Sequence, residues 1–203
     1  MHCIVGMKKN NSINKRGNSV RIIAGEWRGR KVPIVDSPAL RPTIDRVREQ
    51  LFNWLMYEVN DAKVLDLFAG SGALGLECLS RGAAEVDFVE SDKLVAKSLE
   101  SNLNTLQAGQ RAKVWSMTAD QFLRKSEGRK YDLVFLDPPF DASLLPQAIQ
   151  RINDANLLDQ DAYIYIEFAA ALRNEPDLPS NWRVHRQSKA GQSRYLLCQF
   201  DRN

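Results

Sequence analysis

The segment Asp137-Pro-Pro-Phe140 carries the most specific chemical signal in this chain of 203 residues. Two adjacent prolines fix the backbone and remove two N–H donors, so the carbonyl groups there can face a ligand without competing donors. The Asp137 carboxylate and the Pro138 carbonyl can together accept both hydrogens of an exocyclic amino group. This binding frees a lone pair that is otherwise delocalised into the base, so that it can attack a methyl group held in line. Phe140 offers a flat face on which a flipped base can stack.

The acidic residue in this segment favours guanine over adenine. Guanine presents N1–H and N2–H₂ side by side, and a carboxylate can accept from both, whereas adenine offers one acceptor and one donor at the same edge. We therefore predict methylation at guanine N2. Adenine N6, in DNA or RNA, is the alternative substrate.

A glycine-rich turn forms the second candidate site. Glycines follow the apolar run 64–68 as Gly70-Ser-Gly72-Ala-Leu-Gly75, which matches the GxGxxG pattern of nucleotide-binding turns. Glycines let the backbone approach a ligand, and the helix that follows offers unpaired N–H groups. Asp66 precedes the glycines, where it would repel a pyrophosphate but suit the ammonium group of a methionine moiety. The turn therefore favours a nucleoside that carries a cation over a dinucleotide.

Two further acids follow predicted strands. Glu90 ends the second strand, 20 residues after Gly70, and can accept both hydroxyls of a ribose. Asp120 follows the third strand and can accept from an adenine amino group. It can equally be a helix N-cap or an acid of the first helical turn.

Alternating strands and helices position these sites. The pattern predicts a helix that opens at Arg41-Pro42-Thr43, with Thr43 as N-cap, and then strands and helices in turn. Strands are predicted over 64–68, 86–90, 114–117, 131–136, 163–167, 182–186 and 194–200, and helices over 72–81, 93–106, 119–124 and 144–152. Such alternation predicts a parallel sheet with helices on both faces. The last two strands are too close in sequence for a helix between them and should pair antiparallel.

The amino-terminal quarter is strongly basic. Residues 1–48 hold 11 Lys or Arg and 3 acids, a balance of +8, and the remaining 17 bases and 22 acids give −5, which together make the net charge of +3. A basic arm on a mildly acidic body predicts contact with a polyanion. Residues 21–25 and 30–34 flank a glycine-containing turn and predict a short basic hairpin. We divide the chain into a flexible basic lead (1–19), a β-hairpin extension (20–40) and a catalytic domain (41–203).

Bulk composition excludes several classes of protein. Hydrophobic residues make up 44% of the chain and charged residues 26%, which is a globular balance. No apolar run approaches the roughly 20 residues that span a bilayer. The three cysteines are far apart and form no CxxC pair, so neither a disulfide framework nor a metal site is expected. We predict a cytoplasmic protein without membrane contact.

Taken together, VLDLFAGSGALGLE, the acid in VDFVES, and DLVFLDPPF resemble the class I Rossmann-like methyltransferases that act on amino groups. The segments RIIAGEWRGRKV and RPTIDRVREQLFNWL and the carboxyl-terminal strands narrow the resemblance to the RsmD-type bacterial 16S ribosomal RNA guanine-N2-methyltransferases. This resemblance covers about residues 20–200. It implies a seven-stranded, mostly parallel sheet with the last strand antiparallel, S-adenosylmethionine as methyl donor, and ribosomal RNA in an assembling small ribosomal subunit as partner. Separately, we expect a monomer.

The resemblance also assigns residues to roles. Cofactor contacts are expected from the glycine turn, the strand-end acids and their neighbours (Asp66, Phe68, Gly70, Ser71, Gly72, Glu90, Ser91, Asp120 and Asp137). The target base is expected at Asp137, Pro138, Pro139 and Phe140. RNA contacts are expected from the hairpin and the helix that follows it (Arg21, Arg28, Arg30, Lys31, Arg41, Arg46 and Arg48), although an exposed helix face would also explain Arg46 and Arg48.

Two other classes of function compete with this interpretation. An NAD-dependent oxidoreductase could use the same GxGxxG letters, but it would lack an obvious catalytic proton donor, since His185 is the one histidine of the body and lies in a late strand. Asp66 also disfavours a pyrophosphate. A non-catalytic RNA-binding assembly factor could keep the fold, but only catalysis needs the acid of Asp137-Pro-Pro-Phe140.

Overall fold

The computed structural model describes residues 19–35, 45–139, 143–172 and 175–201. Its elements are β1 (Ser19–Arg21), β2 (Lys31–Pro33), α1 (Asp45–Trp54), β3 (Lys63–Asp66), α2 (Ala73–Ser80), β4 (Glu85–Glu90), α3 (Lys93–Leu106), β5 (Ala112–Ser116), α4 (Ala119–Leu123), β6 (Tyr131–Leu136), α5 (Leu144–Asp154), β7 (Leu158–Ala169), β8 (Trp182–Ala190) and β9 (Ser193–Phe200). A single turn of 3₁₀ helix, Gly109–Arg111, precedes β5. The predicted helix opening at 41–43 lies outside the described residues.

A seven-stranded sheet organises the molecule, in the order β5-β4-β3-β6-β7-β9-β8. Strands β3 to β7 pair in parallel, and β9 runs antiparallel to both β7 and β8. The predicted fold, with the last strand antiparallel, is therefore confirmed. The strand order reverses between β3 and β6: β4 and β5 follow β3 on one side, and β7 follows β6 on the other. Open α/β sheets bind ligands at such a point, at the carboxyl ends of the strands.

Two apolar clusters cover the two faces of this sheet. One face packs against α1, α2 and α3, with residues such as Leu51, Leu76 and Leu103 in a common cluster. The other face packs against α4 and α5, through residues such as Phe122 and Ile152. None of the helices within the described ranges is long and apolar enough to cross a membrane.

The predicted hairpin forms as β1 and β2, paired antiparallel from Ser19↔Pro33 to Arg21↔Lys31. Its apolar side chains, including Val20, Trp27 and Val32, belong to the same cluster as α1 to α3. The segment between its strands docks on α2: the backbone N–H groups of Ile23 and Ala24 donate to the buried Glu77 carboxylate, at 2.8 and 3.0 Å. The hairpin is thus packed on the body at this point, while the division of the chain into three units stays a prediction.

Candidate active site at the carboxyl edge of the sheet

The glycine turn after β3 surrounds a buried acid. Asp66 is 2% exposed, and its Oδ2 accepts a hydrogen bond from the Gly75 N–H at 3.1 Å. Burial raises the pKa of Asp66 to about 7; the Gly75 N–H opposes this shift and the nearby charge of Glu90 adds to it. An incoming cation would compensate a carboxylate in such a place.

Glycine is required in this turn for conformational reasons. Gly70 and Gly72 have φ values of 52° and 77°, in the left-handed region that disfavours side chains. A Cβ on Gly72 would also lie 2.5 Å from Cδ1 of Leu99 on α3. The turn is therefore shaped by sequence to bring backbone rather than side chains to the carboxyl edge.

Glu90, at the end of β4, is held by two loops. Its Oε2 accepts from the Gly70 N–H at 2.9 Å, and its Oε1 accepts from the Asp92 N–H at 2.7 Å. Asp92 in turn caps α3 by accepting from the Leu94 N–H at 2.8 Å. A half-buried carboxylate thus stands beside the glycine turn, as the spacing of Glu90 and Gly70 predicted.

Asp120 occupies the first turn of α4, and Thr118 is the N-cap of that helix, in a capping box with Gln121. The Asp120 carboxylate pairs with Nε of Arg124 at 2.9 Å and with Nε of Arg151 at 2.7 Å. Of the alternatives the sequence left open, the first-turn acid describes its position. A contact between Asp120 and an adenine stays a prediction.

The acidic proline segment follows β6 beside the glycine turn. Phe135 pairs with Asp66 in the sheet, and its carbonyl accepts from the Leu67 N–H at 3.2 Å. Asp137, two residues further, is half-buried, Pro138 is buried and Pro139 is exposed. Phe140, the predicted stacking residue, lies outside the described residues.

The remaining predicted cofactor residues flank the same turn. Phe68 and Ser71 are half-buried and Ser91 is exposed. Ser71 and Gly70 line a small crevice with residues that follow β2 and with α3, among them Ile34 and Ser98. Two segments distant in sequence therefore meet at the glycine turn.

All but one of the predicted RNA-contacting residues that the structure describes are exposed. Arg21, Arg28, Arg30, Lys31 and Arg46 are exposed, and Arg41 lies outside the described residues. Arg21 also pairs with Asp45 at 3.2 Å, and Arg30 donates to the Thr105 carbonyl at 3.0 Å, so neither is a freely moving side chain.

The predicted RNA contact of Arg48 is wrong. Its side chain is 1% exposed, and its Nη2 donates to the Arg21 carbonyl at 2.9 Å and to Asp45 at 2.5 Å. A buried guanidinium offers no surface to RNA, so Arg48 joins the hairpin to α1 instead. Helical spacing alone could not separate it from the exposed Arg46.

One acid of this edge was not among the predicted site residues. Glu167 follows Ile166 on β7, and Ile166 pairs with Leu136 on β6, so Glu167 comes next to Asp137 in the register. No local signal separates it in the sequence, because apolar residues follow Glu167 as well as precede it.

The strand order, the left-handed glycine turn after β3 and the acidic proline segment after β6 together define a Rossmann-like methyltransferase dependent on S-adenosylmethionine. Solved structures agree. A putative methyltransferase from Escherichia coli superposes with a TM-score of 0.83 at 46% identity, covering 91% of this chain and 99% of that one. The 16S rRNA N2 G1207 methyltransferase of Thermus thermophilus, in complex with AdoMet and guanosine, superposes with a TM-score of 0.69 at 26% identity, covering 92% of this chain and 50% of that one.

Sequence comparisons identify the family. Residues 20–199 match the family model described as conserved hypothetical protein 95. Ribosomal RNA small subunit methyltransferase D of Escherichia coli K12 is 48% identical over 193 residues, 95% of either chain. The protein of that name from Haemophilus influenzae is 45% identical over 196 residues, 95% of this chain and all of that one. The chain belongs to this ribosomal RNA small subunit methyltransferase D family.

The described residues fit the methyl donor of this class, S-adenosylmethionine. Its amino group is a cation suited to the buried Asp66, and its ribose diol is suited to a strand-end carboxylate such as Glu90. The left-handed turn at Gly70 and Gly72 allows close approach of the backbone. The predicted cofactor is therefore confirmed, whereas the individual residue contacts stay predictions.

Proposed function

We propose that the protein methylates the exocyclic N2 amino group of a specific guanine in small-subunit ribosomal RNA, within an assembling 30S particle. The observation that carries this proposal is the register between β3 and β6, which sets the Asp137-Pro-Pro segment beside the glycine turn. A structural relative that acts on N2 of a 16S rRNA guanine, bound to guanosine, supports guanine as the target base.

In the proposed reaction Asp137 and the Pro138 carbonyl accept the two hydrogens of the amino group and orient its lone pair. S-adenosylmethionine supplies an electrophilic methyl group on a sulfonium. The nitrogen forms its bond to carbon as the carbon–sulfur bond breaks, and the nitrogen then loses one proton, for which Asp137 is the acceptor. Catalysis is therefore chiefly positioning and electrostatic stabilisation by this chain.

RNA binding is proposed at the exposed bases of the hairpin and α1 (Arg21, Arg28, Arg30, Lys31 and Arg46, with Arg41). These residues lie on the sequence segment with a balance of +8, whereas the rest of the chain is net acidic. Because pairing and stacking in an RNA helix hold the guanine amino group within the base pair, the target is expected in a loop or flipped from its stack. We propose that the enzyme acts as a monomer in the cytoplasm, where small subunits assemble.

The decisive experiment is methyl transfer from labelled S-adenosylmethionine to unmethylated small-subunit particles and to naked rRNA, with nucleoside analysis of the product. We expect N2-methylguanosine with the wild type and a loss of at least about 100-fold in turnover with Asp137→Ala. Binding of S-adenosylmethionine, measured by calorimetry, should be largely retained. Asp159→Ala is a matched control, because Asp159 is an exposed acid at the opposite end of β7.

Other products would redirect the assignment. N6-methyladenosine would replace guanine N2 by the alternative substrate. Tight binding of S-adenosylmethionine without transfer to particles, rRNA or DNA would favour a non-catalytic assembly factor. An equal loss of donor binding and turnover in Asp137→Ala would remove Asp137 from its assigned role.

A further inference from the structure

A row of polar side chains crosses the carboxyl edge of the sheet beyond Asp137. Leu136 pairs with Ile166, so Asp137 and Glu167 follow each other in the register of β6 and β7. Glu167 pairs with Tyr195 on β9, and Tyr195 pairs with Ser188 on β8. Paired residues of neighbouring strands point to the same side of a sheet, so this polar row faces the side covered by α1.

Hydrogen bonds hold side chains of the polar row in place. The Tyr165 hydroxyl, buried below the row, donates to Oε2 of Glu167 at 2.8 Å. The Tyr195 hydroxyl donates to Oε1 of Gln50 on α1 at 2.6 Å, and Ser188 contacts the same oxygen at 3.5 Å. A side chain that is oriented in this way before substrate arrives can select a ligand by geometry.

Glu167 has acceptor capacity that Tyr165 does not use. A carboxylate offers about four lone-pair sites on two oxygens, and Tyr165 occupies a site on Oε2. Burial and the charges of Glu167 and Asp137 raise the pKa of Tyr165 well above its usual value, so its hydroxyl stays a donor. Glu167 is half-buried and stands next to the half-buried Asp137 in the register, where a target base would enter.

We infer that Glu167 is a specificity-determining residue that accepts the N1–H of the target guanine while Asp137 binds the N2 amino group. This inference rests on the proposed function. Two neighbouring donors on one base edge call for two acceptors, and the row supplies them on adjacent strands. Adenine places an acceptor at N1, which a carboxylate there would repel. Tyr165 acts as a positioning residue through Glu167.

The test replaces the target base. The methylated nucleotide is first mapped with the wild-type enzyme, and particles are then reconstituted with guanine or 2-aminopurine at that nucleotide. 2-Aminopurine keeps the N2 amino group but has an acceptor at N1. We expect the wild type to prefer guanine by at least about 10-fold in kcat/KM, the effect of one hydrogen bond to a charged group.

Variants locate the discrimination. Glu167→Gln can donate to the N1 of 2-aminopurine, so its preference for guanine should shrink by about 10-fold or more, while binding of S-adenosylmethionine stays within about twofold. Tyr165→Phe should reduce the preference less, because it only loosens Glu167. Ser188→Ala, at the far end of the row, and Glu85→Gln, an exposed acid at the opposite edge of the sheet, should keep the wild-type preference.

Either of two results overturns the inference while leaving the proposed function intact: a wild type that methylates 2-aminopurine as well as guanine, or a Glu167→Gln variant that binds S-adenosylmethionine normally and keeps the wild-type preference. The first result requires no variant to fold. A wild type that yields no N2-methylguanosine on any particle would overturn the proposed function and this inference together.

Discussion

At the scale of single residues, Asp66 is expected to make the stability of the protein depend on pH. Its pKa is raised to about 7 chiefly by burial, against an ordinary value of 3.8. The folded chain therefore holds this proton more tightly than the unfolded chain does. The free energy of unfolding should fall as the pH rises from about 4 to about 7 and stay lower above that range, by at most about 4 kcal/mol.

Asp66→Asn tests this expectation, because it keeps an acceptor for the Gly75 N–H and removes the titration. Chemical denaturation should show the variant to be more stable than the wild type at about pH 8, with the difference vanishing near pH 4. If a cationic amino group binds beside Asp66, S-adenosylmethionine should also bind more tightly as pH rises toward 7, with proton release in the wild type alone. Identical pH profiles for both proteins would contradict the prediction.

Single residues were the scale at which the sequence was most and least informative. Glycines and strand-end acids have few alternative uses in such a pattern, so Gly70, Asp66 and Glu90 were predicted together and lie together. The predicted RNA contact of Arg48 was wrong because this side chain is buried between α1 and the hairpin, where it donates to the Arg21 carbonyl, 27 residues away. Glu167 was missed because its significance comes from its register with Asp137, which no local pattern contains.

At the scale of elements, the segment that joins β1 and β2 should be secured by its fit to α2. Gly25 has a φ of 79°, and a Cβ on it would lie 1.8 Å from the Ser80 carbonyl oxygen, which accepts from the Glu26 N–H at 2.7 Å. Gly25→Ala cannot fit without moving this segment off the helix. We expect a loss of about 3 kcal/mol or more in the free energy of unfolding, measured by urea denaturation.

Gly29→Ala is the matched control for this prediction. Gly29 has nearly the same φ, 80°, but no atom lies within 4 Å of its added Cβ. It should show the conformational cost alone, about 1 kcal/mol. Equal losses for the two variants would mean that contact with α2 contributes nothing measurable.

Element boundaries were predicted accurately where the sequence marks them clearly. The helix predicted over 93–106 and the strand predicted over 131–136 have those bounds as α3 and β6, since Asp92 caps the first and the proline segment ends the second. β7 begins five residues earlier than predicted. The sequence pattern missed this part of the strand because residues 159–161 are polar and exposed. β8 continues to Ala190 through polar residues of an edge strand, where no alternation of apolar residues is required.

At the scale of the whole molecule, the charge asymmetry and the docking of the hairpin should act together. The sequence predicted the basic hairpin but not its attachment, which depends on Glu77 and Ser80 of a helix more than 50 residues away. Attached in this way, the hairpin carries Arg28 and Arg30 on a surface fixed relative to the active-site edge. A basic extension held so can orient RNA as well as attract it.

The double charge reversal Arg28→Glu with Arg30→Glu should therefore weaken RNA binding and flatten its salt dependence. Each lost phosphate contact lowers the slope of log K against log salt by about 0.7 to 0.9, so the double variant should lose about 1.5. Reversal of Lys63 and Lys125, exposed bases of the body, is the control and should change the slope little. Binding should be measured on unmethylated particles, with donor binding as a check on folding. A slope unchanged by the hairpin variant would mean that RNA reaches the active site over another surface.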